Sequence, residues 1–195
     1  MSRNVLLIQG HPDHSKDHLC HALAQSYQEG AKSGGHSVRL IDVAKTDFPI
    51  LRSQDEFYGD IPPAMQDSID DLNWADHLVI FYPLWLGTMP ALLKAFIEQL
   101  FRPGVALGDA ADSKGWPKPL LKGKSCRIVV TMGMPAFAYR WIFLSHSLRS
   151  LERNILKFSG IKPVRDTIIG MVDGAKPNTR EKWFADMFSL GARAR

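Results

Sequence analysis

Cysteine is scarce: Cys20 and Cys126 are the two in the chain, with no Cys-x-x-Cys pair. This argues against a disulfide framework. Two buried free thiols in a reducing, cytoplasmic setting are expected instead. Long apolar runs are missing too, and no stretch approaches the roughly 18 residues of a membrane helix. Met1 to Leu7 is too short for a signal segment with its processing site. Neither G-x-G-x-x-G nor the Walker A pattern occurs, which disfavours a dinucleotide Rossmann turn and a P-loop. No internal repeat or low-complexity tract is found. A large excess of charge of one sign is also missing. The net charge is +4 and the basic residues are scattered, so nucleic acid is not expected as a partner.

What is present is regular alternation. The 195 residues, 45% hydrophobic and 23% charged, suit a single domain, 1–195, with a sizeable core. "NVLLIQG" (4–10) reads as a strand buried on both faces. Ser15 is placed to cap the helix that follows, with Leu19, Leu23, Tyr27 and Gly30 at helical spacing and Gly34-Gly35 ending it. "HSVRLIDV" (36–43) has the weaker alternation of an edge strand. A proline-bearing loop (44–63) and a short helix (64–73) precede a third strand within 75–85. Met89, Leu92, Leu93, Phe96, Ile97, Leu100 and Phe101 then form one wide helical face. A long Gly/Pro/Lys-rich loop, about 104–124, leads to a fourth strand (125–133). Trp141 to Phe158 steps by three and four as another helix. A fifth strand (163–172) and a last helix (182–190) close the chain. Five βα units imply a doubly wound parallel sheet with helices on both faces, and the flavodoxin-like order 2-1-3-4-5. A ligand is then expected at the carboxyl ends of the strands, on the turns after strands 1, 3 and 4.

The first turn, "GHPDHSKDH", opens a helix, and a helix N-terminus stabilises an anion. His11 and Ser15 add donors for a single phosphate, as on FMN, or for the pyrophosphate of FAD. The cluster His11, His14, His18 and His21 also raises a metal, and "HPD" is similar to the opening of zinc-dependent sugar deacetylases. That family has a second Asp where this chain has His14, and a later HxxH that is missing here. His14, His18 and His21 also suit plain surface or cap positions. The second turn, "YPLWLGTMP", puts Leu84 and Trp85 where polar residues are expected, so a planar ring or a partner would have to cover them. In the third, "TMGMPAFAYRW", Thr131 and Gly133 permit close backbone approach, and Tyr139 and His146 could present a hydroxyl and an imidazole. Lys114, Lys118, Lys122, Lys124 and Arg127 could meet a 2′-phosphate but also read as solvated basic residues.

Taken together the three turns resemble the flavodoxin-like NAD(P)H:quinone oxidoreductase family, of the DT-diaphorase and potassium-efflux ancillary type. "YPLWLGTMPALLKAFIEQLF" is close to its Y-P-L-x-W-x-x-x-P-A-x-L-K motif. "GHPD" with Ser15 is similar to its phosphate turn, and "TMGMP" occupies the place of its T-T-G-G turn. The resemblance implies non-covalent FMN or FAD, a homodimer with active sites at the interface, and ping-pong two-electron reduction of quinones by NADH or NADPH. It also implies that His11, Ser15 and the helix start at Asp17, His18 and Leu19 hold phosphate. Pro83, Leu84, Trp85 and Leu86 would line the isoalloxazine, with Thr131 and Gly133 closing over it. The family places a Tyr eight residues after the first Thr of the third turn and a His fourteen after it. Tyr139 matches the first spacing. Ser145 occupies the second and His146 follows it, so Tyr139 and His146 are the catalytic candidates. Other readings are a flavin-binding regulatory subunit associated with a membrane transporter, and a zinc hydrolase.

Overall fold

The computed structural model describes residues 1–108 and 116–195. Residues 109–115 of the long loop, with Lys114, lie outside the described residues. Five strands form one parallel sheet in the order β2-β1-β3-β4-β5. They are β1 (Asn4–Gln9), β2 (Ser37–Asp42), β3 (His77–Pro83), β4 (Ser125–Thr131) and β5 (Val164–Ile169). The central strands are buried almost throughout, whereas β2 at the edge exposes Arg39 and Leu40. This is the flavodoxin-like α/β arrangement expected from the alternation.

The period of two along β1 splits its side chains between two cores. Leu6 and Ile8 join the core beneath α3 (Gln66–Trp74) and α4 (Ala91–Leu100). Val5 and Leu7 face α1 (Leu19–Ser33) and α7 (Pro177–Ala192). The α1–α7 crossing is close because it is built on glycine. A Cβ on Gly30 would lie 2.0 Å from the Phe188 carbonyl oxygen, and one on Gly191 would lie 2.1 Å from that of Tyr27.

Several local expectations are corrected. Ser15 does not cap α1, which starts at Leu19 with His18 as N-cap. The loop at 44–63 contains a short helix, α2 (Gln54–Tyr58), capped by Ser53. The single helix expected over 141–158 is broken. α5 (Ala136–Trp141) and α6 (His146–Ser150) are separated where Leu144 and Ser145 take left-handed φ values of 51°. A π-helical segment, Leu151–Lys157, follows. The last helix is longer than 182–190, because Pro177 opens it.

Candidate active site

A cleft of about 680 Å³ opens at the carboxyl ends of β1, β3 and β4. The sheet order reverses there, since β1 and β3 are neighbours while their connections run to opposite sides. Its first wall is the β1–α1 turn. Gly10 allows the chain to turn tightly, because a Cβ there would sit 2.5 Å from Leu93. His11 follows and is buried, its N–H donating to Gln9 Oε1 at 3.1 Å. The Asp13 N–H points at His11 Nδ1 at 3.1 Å. The same Nδ1 lies 3.1 Å from the Asp13 carbonyl oxygen, so it accepts from the Asp13 N–H or donates to its carbonyl according to the tautomer. Burial, and then the neighbouring His18, hold the His11 pKa below its ordinary value. The His18 ring stacks on His11 with centroids 3.8 Å apart. Asp17, His18, Leu19 and Cys20 complete this wall. The first N–H groups of α1 have no intrahelical acceptor and sit at the positive end of its dipole.

The second wall is Pro83, Leu84 and Trp85. The Leu84 N–H donates to Thr131 O at 2.8 Å, joining this turn to β4. Trp85 and Thr88 exchange backbone bonds of 2.9 and 3.0 Å around a tip formed by Leu86 and Gly87, both at positive φ. Trp85 stands edge-on to His11. The third wall is Thr131, Met132 and Gly133. Cys20 Sγ lies 3.1 Å from Thr131 Oγ1, tying α1 to the end of β4. Burial pushes that thiol up to about 12, so it is a packing group rather than a nucleophile.

The structure therefore gathers His11, Asp17, His18, Leu19, Pro83, Leu84, Trp85, Thr131 and Gly133 around one cleft. It does not bring four candidates there. The Ser15 hydroxyl donates to Asp13 at 2.6 Å on the exposed side of the turn. Leu86, fully exposed, borders a separate apolar groove with Met89, Pro90 and Ile155. Tyr139 is buried, its hydroxyl bonded to Ser147 Oγ at 2.9 Å and accepting the Leu148 N–H at 3.2 Å. His146 is exposed at the start of α6. Among the basic residues weighed for a 2′-phosphate, Arg127 is buried against Thr167 and Arg195, and Lys124 holds the Asn73 and Ala75 carbonyls. Both are structural. Among the described residues no cluster of three or more His, Cys, Asp or Glu is arranged to hold a metal.

A fourth wall escaped the sequence reading. Val172, Asp173, Arg180 and Phe184, from the β5–α7 connection and the first turns of α7, close the cleft opposite the histidines. The signals were the Asp173-Gly174 pair after the fifth strand and Pro177 as a helix start. A Cβ at Gly133 would lie 2.7 Å from Asp173 Oδ2, so these two walls come together at this point and a larger residue would displace the Asp173 side chain.

The donors of a flavin site are present. The His11 imidazole and the first N–H groups of α1 suit a phosphate, and Arg180 adds positive charge. Leu84, Trp85, Met132, Val172 and Phe184 offer apolar surface to a planar ring. Fold and cleft together define a doubly wound α/β protein with an open cleft at the switch point of its sheet.

The chain belongs to the flavodoxin-like fold family, whose model matches residues 3–187. It is 26% identical over 172 residues to an uncharacterized NAD(P)H oxidoreductase of Haemophilus influenzae, covering 86% of this chain and 83% of that one. It is 25% identical over 199 residues to an FMN-dependent NADH:quinone oxidoreductase of Nitratidesulfovibrio vulgaris, covering 91% and 90%. Its structure superposes on the NAD(P)H:quinone oxidoreductase of Methanothermobacter marburgensis with a TM-score of 0.83 at 20% identity, covering 99% and 97%.

Proposed function

We propose that this protein is an FMN-dependent NAD(P)H oxidoreductase that reduces a quinone or a similar electrophile. The observation that carries the reading is the juxtaposition in one cleft of a phosphate-type helix start, at His11 and α1, with the apolar wall of Leu84 and Trp85. Its relative in Nitratidesulfovibrio vulgaris is named an FMN-dependent NADH:quinone oxidoreductase. Bound flavin supplies two-electron hydride chemistry at its N5.

The residues of the chain bind, orient and exclude water. His11 and the first turn of α1 hold the phosphate. Trp85 and Leu84 support the ring from the β3 side, and Gly133 lets the β4 turn approach from the other. Among the described residues the Gly133 N–H has no acceptor, so it is a donor available to the polar edge of the ring. One open mouth serves donor and acceptor in turn, which fits a ping-pong cycle.

A homodimer completes the reading. Phe137, Trp141, Ile142, Phe143 and Leu144 are all exposed, on the segment that follows the third turn. Apolar surface concentrated in this way marks an interface. His146 stands at the end of the segment, and a catalytic part for it would run through that assembly. No helix among the described residues is long and apolar enough to cross a membrane. The two unpaired, buried cysteines favour a reducing, cytoplasmic setting.

The test is direct. Purified protein should be yellow, or become so with FMN, and should oxidise NADH or NADPH when menadione is added. Protein that stays colourless after incubation with FMN would sink the proposal.

A further inference from the structure

The β1–α1 turn has a hub that stands outside the cleft. Asp13 Oδ1 accepts the Ser15 N–H at 2.8 Å and the Ser15 hydroxyl at 2.6 Å. Its Oδ2 meets His18 Nε2 at 2.8 Å. Its own N–H donates to His11 Nδ1 at 3.1 Å. One residue therefore grips both stacked imidazoles and the serine between them. We propose that Asp13 is a positioning residue for the phosphate end of the flavin site. It holds the His18 ring against His11 and shapes the entry to α1, without touching the phosphate. The inference rests on the flavin reading above.

Three observations support it. First, His11 and His18 line the cleft while Asp13 does not. Second, the two rings lie 3.8 Å apart and within 20° of parallel, a face-to-face arrangement that other ring pairs in the turn lack. Two imidazoles have little intrinsic reason to hold it, whereas bonds from each to the same Asp do. Third, Asp13 is kept an acceptor. The Ser15 hydroxyl and N–H, then His18, hold its carboxyl well below the usual carboxylate range. The Asx-type bonds to Ser15 also explain why α1 begins at Leu19 rather than at Ser15. Asp17 is exposed and bonds to neither ring, so it does not share this role among the described residues.

The test compares FMN with riboflavin, which has the same ring and no phosphate. Flavin-free wild type, Asp13→Ala and Asp13→Asn are titrated with each, following fluorescence. Asp13→Ala should bind FMN about tenfold more weakly, the loss expected of one charge-assisted bond, with riboflavin affinity unchanged. Retained riboflavin binding also reports that the variant is folded. Asp13→Asn should bind FMN with an affinity between those of wild type and Asp13→Ala, because its one amide oxygen can accept from Ser15 or from His18 but not from both. The proposal is overturned if Asp13→Ala leaves FMN affinity unchanged, if it weakens both flavins equally, or if Asp13→Asn keeps the full wild-type affinity. Wild-type protein that binds neither flavin would refute the flavin reading itself, a result distinct from these three.

Discussion

Replacing His11 with Ala is the sharpest test of where the phosphate sits. His11 is the first residue past the Gly10 that ends β1, and its side chain is buried at the cleft wall. Nδ1 is committed to the Asp13 backbone, which leaves Nε2 as the ring nitrogen available to a ligand. A hydrogen bond to a charged group is worth about 1.5–3 kcal/mol, so losing it should weaken FMN about 10–150-fold. The α1 N–H groups remain and prevent complete loss. His21→Ala is the matched control. His21 Nδ1 accepts the His18 N–H at 3.2 Å, and its ring lies 5.5 Å from that of His11, off the cleft. A weak neutral bond of about 0.5 kcal/mol corresponds to no more than about threefold in affinity. The assay is quenching of FMN fluorescence by flavin-free protein. Equal losses in the two variants, or unchanged binding in His11→Ala, would refute the assignment.

Three further outcomes follow from the structure. Gly191→Ala forces a Cβ to within 2.1 Å of a backbone carbonyl that cannot step aside, so about 3 kcal/mol should be lost and thermal unfolding should fall by about 6–12 °C. His77 is buried, with Nδ1 on Ser125 Oγ at 2.8 Å and Nε2 without a partner, and burial with nearby arginines lowers its pKa to about 3. The unfolded chain therefore takes up a proton near pH 6.5 that the fold refuses. Urea unfolding should show stability intact above that pH and about 2 kcal/mol lower at pH 5 than at pH 7, and His77→Gln should remove this component of the slope. Trp141→Asp places a charge on the exposed apolar segment, so sedimentation should show the variant as a monomer and, on the proposed assembly, the wild type as a dimer; a dimer unaltered by the substitution would move the interface elsewhere.

Most of the architecture was legible because strand burial and helix faces leave periodic traces. "VLLI" (5–8) and "IVV" (128–130) are continuous apolar runs, and the structure buries them between two helical layers. The face of α4 reads off the spacing of Leu93, Phe96, Ile97 and Leu100. Breaks in a helix are less legible. Trp141 to Phe158 keeps helical spacing, yet Leu144 and Ser145 adopt left-handed φ with no glycine to announce it. The start of α1 was misplaced for a related reason. Ser15 is a good N-cap by type, but Asp13 claims its hydroxyl first.

The site divides along the same line. Its first three walls were visible because parallel βα topology sends the turns after β1, β3 and β4 to one edge. Chain order and composition alone therefore determined the fold class, the switch point, and His11, Trp85 and Thr131 as neighbours. Tertiary structure decided the rest. It brought α7 across α1 through Gly30 and Gly191, which set Arg180 and Phe184 over the cleft. It turned Tyr139 into the interior and left His146 at the surface. It made Asp13, one of several acidic residues in the sequence, the hub of the β1–α1 turn. Spacing reports what recurs along one element, whereas these assignments depend on which groups from distant elements compete for the same partner.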